Sequence, residues 1–136
     1  MVANPRCPYD PPEIMRILIA ESSTGVRERL VGMLQELTGV EVVGQATDVA
    51  SARLLARRLR PDLTILDTLD FSGDWIGLLQ YIKATRPDAK TIVMTNFVDP
   101  EHREMCLRNG ADLFFDKSIE FDKAVAAVRG MQRPAS

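Results

Sequence analysis

Four places in this 136-residue chain combine residue types that together could do chemistry: Glu21-Ser22, Asp67, Thr95-Asn96 and Asp116-Lys117. Each follows a short apolar or β-branched run, namely Ile17-Leu18-Ile19-Ala20, Leu63 to Leu66, Thr91 to Thr95 and Leu113 to Phe115. Brought together, they would set two carboxylates, a hydroxyl and a point positive charge around one small space. The run Ser22-Ser23-Thr24-Gly25 adds hydroxyl and backbone donors, which at a helix N-terminus suit a phosphate group. Taken singly, each residue has an ordinary reading: Asp67 as a turn or cap residue, Thr95 as a strand-end threonine, Lys117 as a solvated charge. Only convergence would make them a site, so the elements that carry them decide the question.

Those elements alternate regularly. Continuous apolar runs of about four residues suit strands buried on both faces. Between them lie helical stripes: Val26, Leu30, Met33, Leu34 and Leu37, stopping near Gly39, then Val49, Ala52, Leu55, Ala56 and Leu59, with Asp48 as N-cap and Pro61 as stop. Val40, Val42 and Val43 form a second strand ending near Gly44. Ile76, Leu79 and Ile82 mark a third helix ending before Pro87, preceded by an irregular segment from Asp67 to Asp74. Asp99-Pro100 reads as N-cap and N1 proline of a fourth helix running through Met105, Cys106 and Leu107 to Gly110. Phe121, Ala124, Val125 and Val128 give a fifth. Five βα units predict an α/β fold, a doubly wound five-stranded parallel sheet in the order 2-1-3-4-5 with helices on both faces. Such sheets place their sites in the crevice beyond the carboxyl ends of the strands, where all four candidate segments fall.

With that placement, the chain resembles the receiver domains of two-component response regulators, a flavodoxin-like, CheY-like (βα)5 family, over roughly residues 15–130. The resemblance is carried by Val40-Glu41-Val42-Val43-Gly44-Gln45-Ala46, by Arg60-Pro61-Asp62-Leu63-Thr64-Ile65-Leu66-Asp67 and by Asn109-Gly110-Ala111-Asp112. It implies that Asp67 is the phospho-acceptor, that Thr95 hydrogen-bonds the phosphoryl group, that Lys117 pairs with it, and that Phe114 is the aromatic switch residue. It further implies Mg²⁺ held by Glu21, Asp67 and the Leu69 backbone carbonyl, with Ser22 or Asp70 as further candidate ligands. The implied partners are a sensor histidine kinase or phosphotransfer protein and a downstream protein target. The face made by helix four, strand five and helix five would be the output and homodimer surface. The chemistry would be phosphoryl transfer, in which positioning and charge neutralisation do most of the catalysis, with at most self-catalysed transfer and autodephosphorylation.

The sequence also departs from the family pattern. Ser22 stands where receivers usually carry a second acid, a direct Mg²⁺ ligand. A unit charge pair at 4 Å is worth about 4 kcal/mol at an effective dielectric of 20, so even a heavily discounted loss predicts Mg²⁺ binding weaker by about tenfold or more. Asp70-Phe71-Ser72-Gly73 replaces a Met-Pro-type turn, with Asp70 read as a solvated loop carboxylate and Trp75 as a cover over the core. Ser118 replaces the proline that usually follows the lysine; a trans bond at Lys117-Ser118 and a shifted entry to helix five are expected. These departures keep a second reading open, a phosphorylation-independent pseudo-receiver acting as an interaction adaptor.

Composition bounds the rest. Net charge is −2 and 26% of residues are charged, which argues against direct nucleic-acid binding. The longest apolar run, Ala124 to Val128, is far short of the ~20 residues needed to span a bilayer, and the N-terminus has no signal-peptide pattern. Cys7 and Cys106 make no metal or disulfide framework, which suits a reducing, cytoplasmic setting. Residues 1–14, rich in proline, read as a tail, 15–131 as the domain and 132–136 as a short C-terminal tail. The expectation from this length is an output delivered by a protein surface. An FMN-binding electron carrier of the same winding is the remote alternative, with Trp75 and Phe97 as stacking rings. Arg53, Arg57, Arg58 and Arg60 read as a solvated basic face, Met105 and Leu107 as interaction surface or core, and His102 as an exposed first-turn residue without a catalytic placement.

Overall fold

The computed structural model describes residues 13–68 and 74–132. The proline-rich segment with Cys7, the loop positions Leu69 and Asp70 through Gly73, and the last four residues lie outside the described residues, so the expectations attached to them are not addressed by the fold.

The chain runs β1 (Met15–Ala20), α1 (Thr24–Gln35), β2 (Val40–Ala46), α2 (Val49–Leu59), β3 (Leu63–Leu66), α3 (Trp75–Thr85), β4 (Lys90–Thr95), α4 (Pro100–Arg108), β5 (Leu113–Asp116) and α5 (Phe121–Met131). The strands form one parallel sheet in the order β2-β1-β3-β4-β5, the expected winding. Apolar strand residues alternate between two cores because side chains in a strand alternate faces. Ile17, Ile19, Ile65, Ile92 and Met94 point to the side of α1 and α5, where Leu30, Leu34, Phe121 and Val128 meet them. Leu18, Ala20, Leu66, Val93 and Phe114 point to the other side, against Ala52, Ala56, Leu78, Leu79 and Cys106. Neither sheet face is left to water, which is why the strands read as unbroken apolar runs.

Local signals explain most helix boundaries. Ser23, Asp48 and Asp74 cap α1, α2 and α3 by accepting from the backbone N–H of Val26, Ser51 and Gly77. The expected cap at Asp99 is only partly correct: its backbone opens α4 and its carbonyl accepts from Arg103, but its carboxylate makes no capping bond. Strand β2 runs to Ala46, past Gly44, because the β1 register shifts between Ile17 and Leu18 and pairing then continues to the end of β1. On the basic face of α2, Arg57, Arg58 and Arg60 are exposed as expected and Arg53 is half-buried. Arg60 is the left-handed C-cap of α2, with φ of 46°, and its carbonyl accepts from Arg86 Nη1 at 2.8 Å. Arg16 Nη1 donates to the Leu59 carbonyl at 2.6 Å, so two guanidinium groups satisfy the open end of that helix.

Gly110 links α4 to β5 with φ of +126°, and a Cβ there would lie 3.2 Å from the Leu79 carbonyl oxygen. The backbone angle would strain a side chain, and its Cβ would crowd that carbonyl. Gly110→Ala is expected to lower unfolding stability by about 1–3 kcal/mol, seen as a lower urea midpoint with an unchanged m-value.

Candidate functional site

Ladder hydrogen bonds run past the strand ends and fix the backbone of the site. Glu21 N–H donates to the Ala46 carbonyl, Asp67 N–H to Ala20 and Lys117 N–H to Thr95, each at 2.9 Å. Adjacent parallel strands thus end level, and Glu21, Asp67, Thr95 and Lys117 come to one edge of the sheet.

Three of these side chains form a nearly buried cluster. Lys117 Nζ donates to Asp67 Oδ2 at 2.6 Å and lies 3.2 Å from both Glu21 carboxylate oxygens. The ammonium side chain is 12% exposed, so water screens these contacts little. A trans peptide at Lys117-Ser118 is compatible with this placement; no cis bond occurs among the described residues. The Ser118 hydroxyl donates to Asn96 Oδ1 at 2.8 Å, tying the β5–α5 turn to the β4–α4 loop. Glu21 also accepts from the Ser23 N–H at 3.0 Å, so the carboxylate takes a donor of the Ser-rich loop.

Burial pushes the Glu21 carboxyl up from its ordinary range. The Asp67 charge adds to that shift, while the Ser23 N–H and Lys117 partly oppose it. For Lys117, burial disfavours the ammonium, but the bonds and charges of Asp67 and Glu21 outweigh that and hold its pKa up. With both carboxylates ionised the cluster carries one net negative charge, a composition that attracts a cation.

Thr95 belongs to a second, wholly buried polar chain. Its hydroxyl lies 2.8 Å from that of Thr68 and accepts from the Phe97 N–H at 3.1 Å. Thr68 in turn lies 3.1 Å from His102 Nε2. The expectation that His102 is exposed is overturned: it is 6% exposed, packed edge-on against Trp75 at 5.0 Å, Phe97 at 6.0 Å and Phe114 at 6.1 Å. The signal for this was present in the sequence. His102 stands four residues before the buried Cys106, so both lie on the core-facing side of α4. Trp75 covers the core as expected and is buried against the histidine, which leaves its ring unavailable for stacking on a flavin. Ser22 is exposed, and the Leu69 and Asp70 candidates lie outside the described residues.

The model of the response regulator receiver domain matches residues 17–129. This chain belongs to that family. Among curated relatives, the receiver is 27% identical over 120 residues to the transcriptional regulatory protein LiaR of Bacillus subtilis, covering 88% of this chain and 57% of that protein. It is 40% identical over 80 residues to a protein-glutamate methylesterase/protein-glutamine glutaminase of Anaeromyxobacter dehalogenans, covering 59% of this chain and 23% of that protein. Among solved structures, it superposes on the signal receiver domain of a Mycobacterium tuberculosis response regulator designated NarL with a TM-score of 0.78 at 25% identity, over 88% of this chain and 96% of that one. The isolated receiver of RcsB from Salmonella enterica serovar Typhimurium, solved with phosphomimetic BeF3⁻, gives 0.72 at 25% identity over 90% and 94%. The chain spans less than two thirds of the curated relatives it matches. Receiver domains take phosphoryl groups from histidine kinases and typically bind Mg²⁺ at an acidic site. No helix among the described residues is long and apolar enough to cross a membrane.

The donor set of this receiver suits a sparse version of that metal site. Mg²⁺ keeps several waters and is often held by one or two carboxylates plus a phosphate. Glu21 and Asp67 supply such a pair, and no cluster of three or more acidic, histidine or cysteine ligands occurs among the described residues.

The raised folded-state pKa of Glu21 has a consequence for stability. Between its ordinary value of 4.5 and the raised value the folded state holds more protons than the unfolded one, so this contribution is present below 4.5 and is lost as pH rises through the folded pKa. Urea midpoints compared for wild type and Glu21→Gln are expected to diverge in the variant's favour across that window, and to stay parallel if Glu21 ionises freely in the fold.

Proposed function

We propose that this receiver is a phosphorylation-dependent switch whose Asp67 carboxylate accepts a phosphoryl group from a sensor histidine kinase or phosphotransfer protein. The observation that carries this reading is the 2.6 Å contact between Lys117 Nζ and Asp67 Oδ2 at the edge of the sheet where Thr95 also ends. An Asp67 oxygen attacks phosphorus in line, the O–P bond forms as the N–P bond of the phosphohistidine breaks, and the imidazole leaves with its electron pair. The Lys117 ammonium, already seated at the acceptor, neutralises charge on the transferring oxygens. The Thr95 hydroxyl donates to one of them. Glu21 and Asp67 would hold Mg²⁺, with Ser22 a further candidate and the Leu69 carbonyl and Asp70 candidates outside the described residues, and the ion would supply the remaining positive charge.

Lys117 touches both carboxylates, so it also sets the terms for a cation. Its contacts to Glu21 are the longer ones, and a cation entering the cluster competes with the ammonium there first. Phe114, packed inward beside His102 of α4, is the residue through which Thr95 would be read at the face made by α4, β5 and α5. Met105 and Leu107 on α4, together with Ile119 after β5, are exposed apolar side chains on that side, which suits a downstream protein or a second copy of the chain.

One observation favours the adaptor reading: the second acid is replaced by the exposed Ser22, leaving Glu21 and Asp67 as the carboxylates that Lys117 touches among the described residues. Intact-mass analysis after treatment with acetyl phosphate and Mg²⁺ separates the two. The switch reading expects an adduct of about 80 Da, one phosphoryl group, that is absent in Asp67→Ala. Without an adduct even at high Mg²⁺, the adaptor reading stands. Ser22→Asp is expected to raise Mg²⁺ affinity by about tenfold or more, as one restored charge at ligand distance should; a titration showing equal affinity would mean that Ser22 does not limit metal binding.

A further inference from the structure

We propose that the cleft between the C-terminal halves of α2 and α3 is a docking site that seats a carboxylate side chain from an extended acidic segment of a partner protein. The cleft lies where α2 runs into β3 and α3 into β4, at the edge of the sheet opposite Asp67, so it is independent of the phospho-acceptor reading.

The cavity there holds about 120 Å³, and Ala56, Arg57, Arg60, Tyr81, Ile82 and Arg86 are among its lining residues. That is below the ~300 Å³ at which pockets begin to take cofactors or drug-sized molecules, so it fits one small group. Ala56 and Ile82 are buried and give it apolar walls, while Arg57 and Arg60 are exposed. Arg86 is already committed: its Nη1 donates to the Arg60 carbonyl at 2.8 Å and to Asp62 Oδ1 at 3.1 Å. Arg57 and Arg60 have no such anion. Among the described residues no carboxylate pairs with Arg53, Arg57, Arg58 or Arg60, and neither α2 nor α3 contains an acidic residue. In a chain of net charge −2 this is a concentrated local excess of positive charge. Arg57 and Arg58 in the last turn of α2 also compensate its macrodipole. That role needs charge alone and explains neither the cavity nor Arg60, an arginine in a left-handed cap that glycine adopts at lower cost.

The arginines also extend beyond the cavity. Arg53 and Arg57 stand four residues apart on one side of α2, a rise of about 6 Å. Alternate side chains of an extended chain share a face at a spacing of about 7 Å. A segment with carboxylates at alternate positions therefore matches the row, with one carboxylate entering the cavity, and the guanidinium fork takes such groups in bidentate pairs. The Arg53 guanidinium lies over the Tyr81 ring at 5.2 Å. The ring face beside the row is thus covered and offers no platform for a base, which favours an acidic polypeptide over a single-stranded nucleic acid.

Fluorescence anisotropy of the full chain with a fluorescein-labelled Gly-Glu-Ala-Glu-Ala-Glu-Gly peptide tests the proposal. Binding is expected with a Kd below about 1 mM, weakening by about fivefold or more between ~50 and ~300 mM salt, and absent for the same peptide with glutamine at each glutamate. Arg57→Gln and Arg60→Gly, the latter suited to the left-handed cap, should each weaken binding by about fivefold. Arg58→Gln makes the same charge change as Arg57→Gln outside the cavity lining and should cost less than about twofold. Thr85→Leu, which fills the cavity from α3 without altering charge, should weaken binding as Arg57→Gln does. No binding up to about 1 mM peptide, equal losses in Arg57→Gln and Arg58→Gln, or an unaffected Thr85→Leu would each overturn the proposal. Tighter binding of a labelled oligothymidylate, or displacement of the peptide by equimolar glutarate, would also overturn it, assigning the cleft to nucleic acid or to a free dicarboxylate.

Discussion

The site is organised around one buried cation. Lys117 reaches from the end of β5 into the space between Asp67 and Glu21, and its ammonium is the group that makes two neighbouring carboxylates tolerable in a pocket with little water. Burying such charges is expensive, and a close pair offsets that cost only when its geometry is good. In this receiver the backbone supplies the geometry. The ladder bonds of Glu21, Asp67 and Lys117 hold the three chain segments level, so the side chains need only reach inward.

That arrangement has a chemical consequence. Under the proposed reading a cation would complete this pocket electrostatically, and the lysine that bonds both carboxylates would also neutralise a phosphoryl group. The same contacts that stabilise the resting pocket are therefore the ones a phosphoryl group would reuse. The neighbouring Thr95–Thr68–His102 chain is buried and made of hydrogen bonds rather than ion pairs.

Much of the fold was legible in the sequence because a parallel sheet buried on both faces leaves unbroken apolar runs, and covering helices leave stripes of 3.6-residue period. The winding and the four segments at the crevice followed from those patterns. Boundaries were less legible. The extension of β2 past Gly44 depends on a register shift against β1, and Arg60 takes a left-handed cap that its residue type does not announce. The burial of His102 was signalled only by its four-residue spacing from Cys106, and the Thr68 hydroxyl that receives it shows in the tertiary structure alone.

By itself, then, the chain determined which residues could do chemistry and that they would share an edge, because periodicity and chain order are local properties. Only the tertiary structure decided how they pair. Whether Lys117 reaches Asp67 without the usual proline after it, which donor Glu21 takes, and that Thr68 and His102 continue the path from Thr95 all depend on distances between segments 27 to 96 residues apart. Side chains meet across such separations only once the sheet and its covering helices fix them in space.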